Sequence, residues 1–279
     1  MAEHAALPDR PLLVLAPTKG WVGLDLAGLW EHRELLYFLT WRDVKLRYKQ
    51  TALGVLWAII QPTAPMLIFT LVFGRLVDLP SDGPYPLFAF AGLLPWAYFA
   101  NAVTNSASSV VSSSNLITKV YFPRMIIPGS ATLAALMDFL IGLGVLAALL
   151  VWYRVGPHAT LFALPLLVAL TTVLALGVGM LFAGLTVQYR DIRYALPFLI
   201  QFWMFATPII FPSRIVPEGW RWALALNPMA SIIENFRAAL LGKAIDWASL
   251  GFAALLACAV LAYAAFSFRR LERKFADLI

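Results

Sequence analysis

The chain has 279 residues, of which 61% are hydrophobic and 13% are charged, and its formal net charge at pH 7 is +6. Soluble domains are about 25% charged, and a core of this size cannot hide so much apolar surface from water. The composition therefore excludes an ordinary soluble protein and predicts a chain embedded in lipid. The single cysteine, Cys258, excludes an internal disulfide framework, and we expect it to be a small buried apolar residue.

The first 30 residues predict a flexible cytoplasmic tail. They carry acids and prolines, and their apolar run, Leu12–Ala16, is too short for the core of a signal peptide. We therefore expect the first membrane span to direct insertion of the chain.

Residues 31–52 predict an amphipathic helix at the cytoplasmic surface of the membrane. The apolar residues at the spacing of one helical face are Tyr37, Trp41, Val44 and Tyr48, and the cations on another face are Arg42, Lys45 and Lys49. Asp43 and Arg47 stand four residues apart, in the order that favours an ion pair. Such a helix places its aromatics in the acyl boundary and its cations at lipid phosphates. It is either a simple anchor for the first span or an element that transmits a pull from the cytoplasm.

Six apolar stretches follow, each a candidate for the roughly 20 residues that a spanning helix needs. They are Leu53–Gly74, Leu87–Val111, Ile126–Val151, Leu161–Val187, Ala195–Phe211 and Leu250–Phe268. The fifth is short. Backbone groups in hydrocarbon must pair within their own segment, so these stretches are expected to be helices. The fold class is therefore an all-α membrane protein with six transmembrane helices, and the region after 268 is a cytoplasmic C-terminal tail, 269–279.

The distribution of cations predicts the orientation. Placing both ends of the chain in the cytoplasm leaves 15 of the 21 Lys and Arg residues on that side, as the positive-inside rule requires. Cations beside anionic headgroups then account for the basic composition. We accordingly expect membrane lipids, and no nucleic acid, among the partners.

Aromatic side chains cluster in the second and fifth spans. The clustered residues are Trp96, Tyr98 and Phe99 in the second span and Phe198, Phe202, Trp203 and Phe205 in the fifth. They form either a lipid-facing aromatic belt or the wall of a channel along which the C–H faces of sugar rings slide.

Asp138 is the ionisable residue near the middle of a span, the third. A proton-coupled transporter usually needs a relay of such groups, and this sequence offers one. We expect Asp138 to be protonated or to hydrogen-bond with Ser or Thr on a neighbouring helix.

Residues 212–247, between the fifth and sixth spans, contain apolar runs too short to cross a membrane and too apolar for an ordinary loop. The runs are broken at Asn227-Pro228 and at Gly242. They predict two short re-entrant helices that dip into the outer leaflet and are buried against protein. Glu234 and Arg237 are spaced so that they can pair there.

The sequence carries no recognisable catalytic or nucleotide-binding motif. It lacks G-x-x-x-x-G-K-[ST], and the histidines His4, His32 and His158 have no metal-ligand spacing. We therefore expect neither a catalytic residue nor a metal or cofactor on this chain, and energy for uphill transport has to come from elsewhere.

Four ordered segments resemble the membrane subunit of ABC-2 type polysaccharide exporters, which export O-antigen, teichoic acid and capsular glycans. The segments are WRDVKLRYKQTALGVLWAIIQP at 41–62, LITKVYFPRMIIP at 116–128, QYRDIRYALPFLIQFWMFATPIIF at 188–211 and NPMASIIENFRAALLG at 227–242. The resemblance covers about residues 31–275. It implies a homodimer in the bacterial inner membrane that works with two copies of an ATP-binding subunit, which holds ATP and magnesium, on a lipid-pyrophosphate-linked polysaccharide.

The resemblance also implies roles for three cytoplasmic segments. The amphipathic helix becomes a gate helix that meets lipid phosphates, with Tyr37, Trp41, Arg42, Lys45, Arg47, Tyr48 and Lys49. The loop 113–125 contains the coupling helix that docks on the ATPase, with Asn115, Lys119, Tyr121, Phe122, Pro123 and Arg124. A second cytoplasmic contact is the turn Tyr189, Arg190 and Asp191. Tyr121, Phe122 and Pro123 would form the apolar knob of the coupling helix, and the re-entrant helices of 212–247 would close the exit.

Two other functions remain open on the sequence. An ABC-2 permease for a small molecule, such as a drug or haem, has the same predicted topology. A membrane enzyme of glycan assembly acting alone is the less favoured alternative, because it needs paired acids or histidines at a membrane face and the loops show only scattered acids.

Overall fold

The computed structural model describes residues 26–49, 53–79 and 83–278, and within these ranges the chain forms helices and no strand. The predicted tail up to residue 25 and the predicted end of the gate helix, 50–52, lie outside the described residues. The first six helices are α1 (Leu26–Glu31), α2 (Arg33–Tyr48), α3 (Leu56–Leu71), α4 (Tyr85–Ser112), α5 (Ser114–Lys119) and α6 (Ile126–Trp152). The remaining helices are α7 (Leu164–Gln188), α8 (Ile192–Phe205), α9 (Arg221–Ala225), α10 (Pro228–Leu240) and α11 (Trp247–Leu278).

Within the described residues, five helical segments are long and apolar enough to cross a membrane. They are Leu56–Leu76, in which a π-helical turn extends α3, and Tyr85–Ser112, Ile126–Trp152, Ala159–Gln188 and Trp247–Glu272. These segments match five of the six predicted spans to within a few residues. Apolar length was enough to locate them, because an apolar segment surrounded by lipid has to pair its backbone groups internally and therefore forms a helix.

The predicted fifth span, 195–211, is helical only over α8, Ile192–Phe205. Its 14 residues are about 21 Å long at 1.5 Å per residue. The helix ends shortly before Pro208, because a proline disfavours the helical conformation of the residue that precedes it. This predicted span is therefore shorter as a helix than the sequence indicated.

α4 is the central helix of the bundle. Of its most apolar 18-residue window, 78% is buried, against 17–39% for the other four candidate spans. It packs against α6 and α7, and it also contacts α3 and α10. Glycine permits a close approach here, because a β-carbon at Gly179 of α7 would collide with the side chain of Ser106 on α4.

A cluster of buried residues identifies one end of the bundle, and a hydrogen bond from the start of α4 identifies the other. One end, termed the α5 end, gathers Leu39, Ile117, Val187 and Phe268 from α2, α5, α7 and α11. The opposite end, termed the α10 end, contains the start of α4, where the Tyr85 hydroxyl donates to the carbonyl of Ile210 at 2.8 Å. α2, α5 and the turn between α7 and α8 therefore lie together at the α5 end.

The chain passes from one end of the bundle to the other between residues 192 and 210. It leaves the α5 end after Val187, and Ile210 lies beside Tyr85 at the α10 end. The chain then returns part of the way, since Asn227 accepts from the indole N–H of Trp203 at 3.0 Å. α10 leads back to Gly242, whose φ of +68° ends the helix. The ring of His158 occupies the space that a β-carbon at Gly242 would need.

Cys258 was predicted to be buried, and this prediction is wrong. The thiol is free and exposed on α11. Its position on the helix faces away from the bundle, whereas Ala257 beside it is fully buried.

Candidate functional site

α2 packs against α6 through a stripe that the sequence analysis did not identify. Leu39 and Val44 are buried on this stripe, and Leu36 lies against Gly129 of α6. Of the predicted apolar face, Val44 packs against α6, whereas Tyr37 and Trp41 are exposed on the surface of the chain, where the prediction places them against lipid. The reason is that α6, rather than lipid alone, selects the buried face of α2.

Asp138 of α6 is held by α2. The guanidinium of Arg47 donates to one carboxylate oxygen of Asp138, and the hydroxyl of Tyr48 donates to the other. The expected Ser or Thr partner is therefore wrong. The Asp138 side chain is only 15% exposed, and a carboxylate so placed is tolerated because it is paired and hydrogen-bonded.

The predicted ion pair between Asp43 and Arg47 is also wrong. Asp43 accepts from Arg42 at 2.8 Å and from the hydroxyl of Ser130 on α6 at 3.3 Å. Arg47 points instead to Asp138, so its predicted role at lipid phosphates does not fit its position. Burial raises the pKa of the Tyr48 hydroxyl, and the hydrogen bond to Asp138 adds to the rise. Tyr48 therefore remains a proton donor at neutral pH.

Three other predicted gate-helix cations remain available on the surface. Arg42, Lys45 and Lys49 are all exposed. The ammonium group of Lys45 lies 5.6 Å from the ring centroid of Trp41. This arrangement places an exposed aromatic ring and cations side by side, as an amphipathic helix at a membrane surface does.

The predicted coupling segment forms part of the surface of the α5 end, but not as the expected knob. Tyr121 is 90% exposed and Val120 is also exposed, whereas Phe122 is 5% exposed. Phe122 packs into the cluster that contains Ile117 and Phe268. The exposed apolar pair is therefore Val120 and Tyr121, with Asn115 and Lys119 exposed beside it and Pro123 half-buried.

Arg124 ties the coupling segment to the last described turns of α11. Its guanidinium donates to the carbonyl of Glu272 at 2.6 Å, and its backbone N–H donates to the Glu272 carboxylate at 3.2 Å. The Arg124 side chain was predicted to face the ATPase. Its two bonds to Glu272 show that it also fixes the segment within the chain.

A cavity of about 750 Å³ adjoins the coupling segment. It lies between α1, residues 117–125 and the end of α11, and its charged lining includes Glu31, Lys119 and Arg269. The turn Tyr189, Arg190 and Asp191 is exposed and lies at the same end of the bundle. The α5 end therefore presents the largest concentration of the predicted cytoplasmic residues.

The predicted channel aromatics divide into two groups. Trp96, Tyr98 and Phe99 are buried because they lie on the central helix α4, and the half-buried Trp203 packs against Phe99 with ring centroids 5.0 Å apart. Phe198, Phe202 and Phe205 are exposed along α8. Only this second group offers surface to a molecule outside the chain.

Arg237 joins α10 to the irregular segment that follows α8. Its side chain is 6% exposed and donates to the backbone carbonyls of Phe88, at 3.2 Å, Pro208, at 2.8 Å, and Ile209. The guanidinium also lies 3.7 Å from the centroid of the Phe88 ring. The spacing of Glu234 and Arg237 pointed to their pairing and gave no sign of these carbonyls, although both residues line one cavity of about 140 Å³.

Within residues 26–49, 53–79 and 83–278, no group of three or more His, Cys, Asp or Glu side chains is arranged to hold a metal ion. The site is therefore a set of surfaces and interhelical contacts. Its charged and aromatic groups suit binding and movement of another molecule.

Comparison with known proteins identifies the family. The sequence pattern of the ABC-2 type transporter matches residues 34–241. The O-antigen export system permease protein RfbA of Myxococcus xanthus is 34% identical over 258 residues, covering 90% of this chain and 97% of that protein. A protein of the same name from Klebsiella pneumoniae is 28% identical over 247 residues, covering 88% and 95%. The polysialic acid transport protein KpsM of Escherichia coli is 28% identical over 229 residues, covering 79% and 86%.

These matches span the described bundle from α2 to α10, including the coupling segment and Asp138. They imply a multi-span permease of the inner membrane that works with an ATP-binding partner. The chain belongs to the ABC-2 type transporter family.

Proposed function

We propose that this chain is the permease subunit of an ATP-driven exporter that moves a lipid-linked polysaccharide across the cytoplasmic membrane. The observation that carries the proposal is the match to an O-antigen export permease over 97% of that protein's length. The match to a polysialic acid transport protein extends the similarity to a second protein that transports a glycan.

The proposed topology has six crossings, with both ends of the chain in the cytoplasm. The path from Val187 at the α5 end to Ile210 at the α10 end supports a sixth crossing, made by α8 and the irregular residues after it. In this topology α9 and α10 form the outer re-entrant region. The positive-inside rule assigns the α5 end, with Lys45, Lys119 and Arg190, to the cytoplasm.

The proposed assembly contains a second copy of the chain and two ATP-binding subunits. The exposed Val120 and Tyr121, next to the cavity of about 750 Å³, offer the ATPase an apolar projection beside a charged groove. An exposed aromatic residue set among polar groups is typical of a binding hot spot. The turn Tyr189, Arg190 and Asp191 provides a second contact at the same end.

The proposed path of the glycan begins at α2 and continues along α8. Arg42, Lys45 and Lys49 are exposed where the pyrophosphate of a lipid carrier would arrive. Phe198, Phe202 and Phe205 form an exposed aromatic strip on α8. When two copies face each other, this strip supplies a wall with few charges, against which a hydrated and mostly neutral polymer slides without tight binding.

In the proposed cycle, ATP binding brings the two ATP-binding subunits together, and the coupling segments convert this movement into separation of the two permease subunits. The lipid-linked glycan then enters beside α2 and leaves past α10. ATP hydrolysis resets the complex.

The test is to reconstitute the permease with its ATP-binding partner in vesicles and to follow a lipid-linked glycan into the lumen. We expect ATP-dependent movement of the glycan, and accumulation of the same glycan in the cytosol of cells that lack the gene. Movement of a drug or haem without any movement of glycan would establish the small-molecule permease instead. Glycosyl transfer by the purified chain alone would establish the enzyme.

A matched pair of variants tests the coupling surface. Tyr121→Ala should abolish transport-coupled ATPase activity while leaving the folded subunit intact, because Tyr121 is 90% exposed. Phe122→Ala should instead destabilise the subunit, by about 3–5 kcal/mol for a buried phenylalanine. Unchanged ATPase activity in Tyr121→Ala would contradict the assignment of this surface.

A further inference from the structure

Asp138 lies deep in the bundle. It stands 12 residues after Ile126, the first residue of the 27-residue helix α6, and is therefore about 18 Å along the helix. The preceding loop, 113–125, is the proposed coupling segment. α6 is thus a stiff connection between that segment and the middle of the membrane.

Both partners of Asp138 come from the last turn of α2. Arg47 and Tyr48 are 91 and 90 residues away in sequence, and each donates to a different carboxylate oxygen. With two donors directed at its two oxygens, the carboxylate is fixed in orientation as well as in charge. A single ionic contact would leave the helix free to swing about it.

α2 also contacts α6 at a second position along the α6 axis. Asp43 accepts from the Ser130 hydroxyl at 3.3 Å, and the methyl carbon Cδ1 of Leu36 lies 3.5 Å from the position of a β-carbon at Gly129. Contacts at two positions along α6 oppose both sliding and rotation of α2 against α6.

We propose that Asp138 is a positioning residue that makes α2 and α6 one rigid unit during transport. This proposal rests on the proposed function and identifies the route by which movement reaches the gate helix. A displacement of the coupling segment moves α6, and Asp138 carries α2 with it through Arg47 and Tyr48. The exposed cations of α2 therefore change position together with the ATPase contact.

A purely structural role predicts different behaviour. If Asp138 served only to satisfy Arg47, then α2 would be free to separate from α6 in one state of the cycle. Neutralising the pair would then alter the amount of assembled complex and leave the ratio of export to ATP hydrolysis unchanged. In the proposed role, that ratio falls.

The first experiment measures proximity and does not require the glycan. Leu36→Cys and Gly129→Cys are introduced together into the Cys258→Ala chain, in complex with its ATP-binding partner. Gly129 has room for the new side chain, because nothing lies closer than 3.5 Å to its β-carbon position. A short thiol crosslinker should join the two positions equally well without nucleotide and in the ATP-trapped state. A crosslinking yield that collapses in the ATP-trapped state would overturn the proposal.

The second experiment adds variants to the same assay. In Asp138→Asn, the crosslinking yield in the ATP-trapped state should fall, and export per ATP hydrolysed should fall by roughly tenfold. Asp138→Glu, which keeps the charge, should restore much of the loss. Asp78→Asn, a change at an exposed aspartate near the α10 end, is the matched control and should leave both readouts unchanged.

The third measurement uses the crosslinked Leu36→Cys/Gly129→Cys complex, with Asp138 unchanged, in vesicles. Because α2 and α6 move together in the proposed cycle, the crosslink should leave export intact, and loss of export on crosslinking would overturn the proposal. If the complex without any substitution moves no glycan, the proposed function fails. The crosslinking yields still decide the question of the rigid unit.

Discussion

Arg47 and Arg237 both hold separate parts of the chain together, and their partners are of different kinds. Arg47 donates to the carboxylate of Asp138, a side chain. Arg237 donates to backbone carbonyls of Phe88, Pro208 and Ile209. A side-chain partner can be altered together with its arginine, whereas a backbone carbonyl cannot be removed by any substitution. The loss of Arg237 is therefore beyond rescue, and the loss of Arg47 is not.

The same contrast separates two mechanical roles. The contact of Arg237 holds the irregular segment after α8 against α4 and α10, because one side chain binds backbone carbonyls of both segments at the α10 end. The contact of Arg47 joins two regular helices whose own backbone hydrogen bonds are complete. We infer a static fastening at the α10 end and a joint between movable helices near the middle of α6.

The largest expected effect is that of Arg237→Met. This change leaves the buried carbonyls of Phe88, Pro208 and Ile209 without their donor, and each such group costs about 1–3 kcal/mol. The free energy of unfolding should fall by about 4–5 kcal/mol. Thermal unfolding of the purified complex in detergent measures it. Arg237→Lys keeps the charge but loses the planar guanidinium, so its free energy of unfolding should lie between those of the wild type and Arg237→Met. A fully stable Arg237→Met protein would contradict the static fastening.

The next effect is that of Arg47→Met. Removing one partner of a poorly solvated pair should reduce stability by about 3 kcal/mol, because the carboxyl of Asp138 loses its counter-ion. The double variant Arg47→Met with Asp138→Asn should recover most of this loss, because neither site then carries a charge. A double-mutant cycle on the same unfolding assay measures the recovery. Additive losses would show that the pair is not the unit of interaction.

A smaller effect is expected for the exposed cations of α2. Arg42→Glu with Lys45→Glu should leave the unfolding temperature and complex assembly nearly unchanged. Each cation near an anionic group contributes about 1 kcal/mol, so the apparent affinity for the lipid-linked glycan should fall by roughly tenfold or more. Initial rates of export against glycan concentration provide the measurement. Arg154→Glu, a single charge reversal at an exposed site at the α10 end, is the control for an effect of charge reversal away from α2. Loss of assembly in the α2 variant would restore the interpretation of α2 as an anchor.

The smallest effect is that of Arg221→Met. Arg221 pairs with Glu218 at 3.2 Å, and both side chains are largely exposed. Exposed pairs of this type contribute at most about 0.5–1 kcal/mol, so the unfolding temperature should hardly change. This variant is the reference for the series, because Arg221 and its partner Glu218 are both in contact with water. A loss of stability comparable to that of Arg47→Met would show that the type and burial of the arginine's partner do not determine the size of the effect.

The sequence predicted what depends on local pattern. Five spans were located because apolar length is a property of neighbouring residues, and the exposure of Tyr121 and Lys119 agrees with their place in a short loop. The buried face of α2 was missed, because Tyr37 and Trp41 are more apolar than a stripe containing Asp43 and Arg47. Only the packing of α2 on α6 decides which face is buried.

The long-range contacts were beyond sequence reasoning for a physical reason. Asp138 signalled that a partner was needed, since a lone carboxylate in a span has to be paired or protonated. No spacing indicated that the partner stands 91 residues earlier. The carbonyls of Pro208 and Ile209 are free to accept from Arg237 because the helix ends before Pro208. Phe122 looked like a surface knob because its burial depends on α7 and α11.

The shortness of α8 bears on the surrounding lipid. Its helical length of about 21 Å is well below the roughly 30 Å of bilayer hydrocarbon. A membrane adapts to such a mismatch by local thinning around the short element. In the proposed function, a polymer that follows α8 therefore meets a regular helical wall over only about two-thirds of the usual thickness, and the irregular residues up to Ile210 complete the crossing.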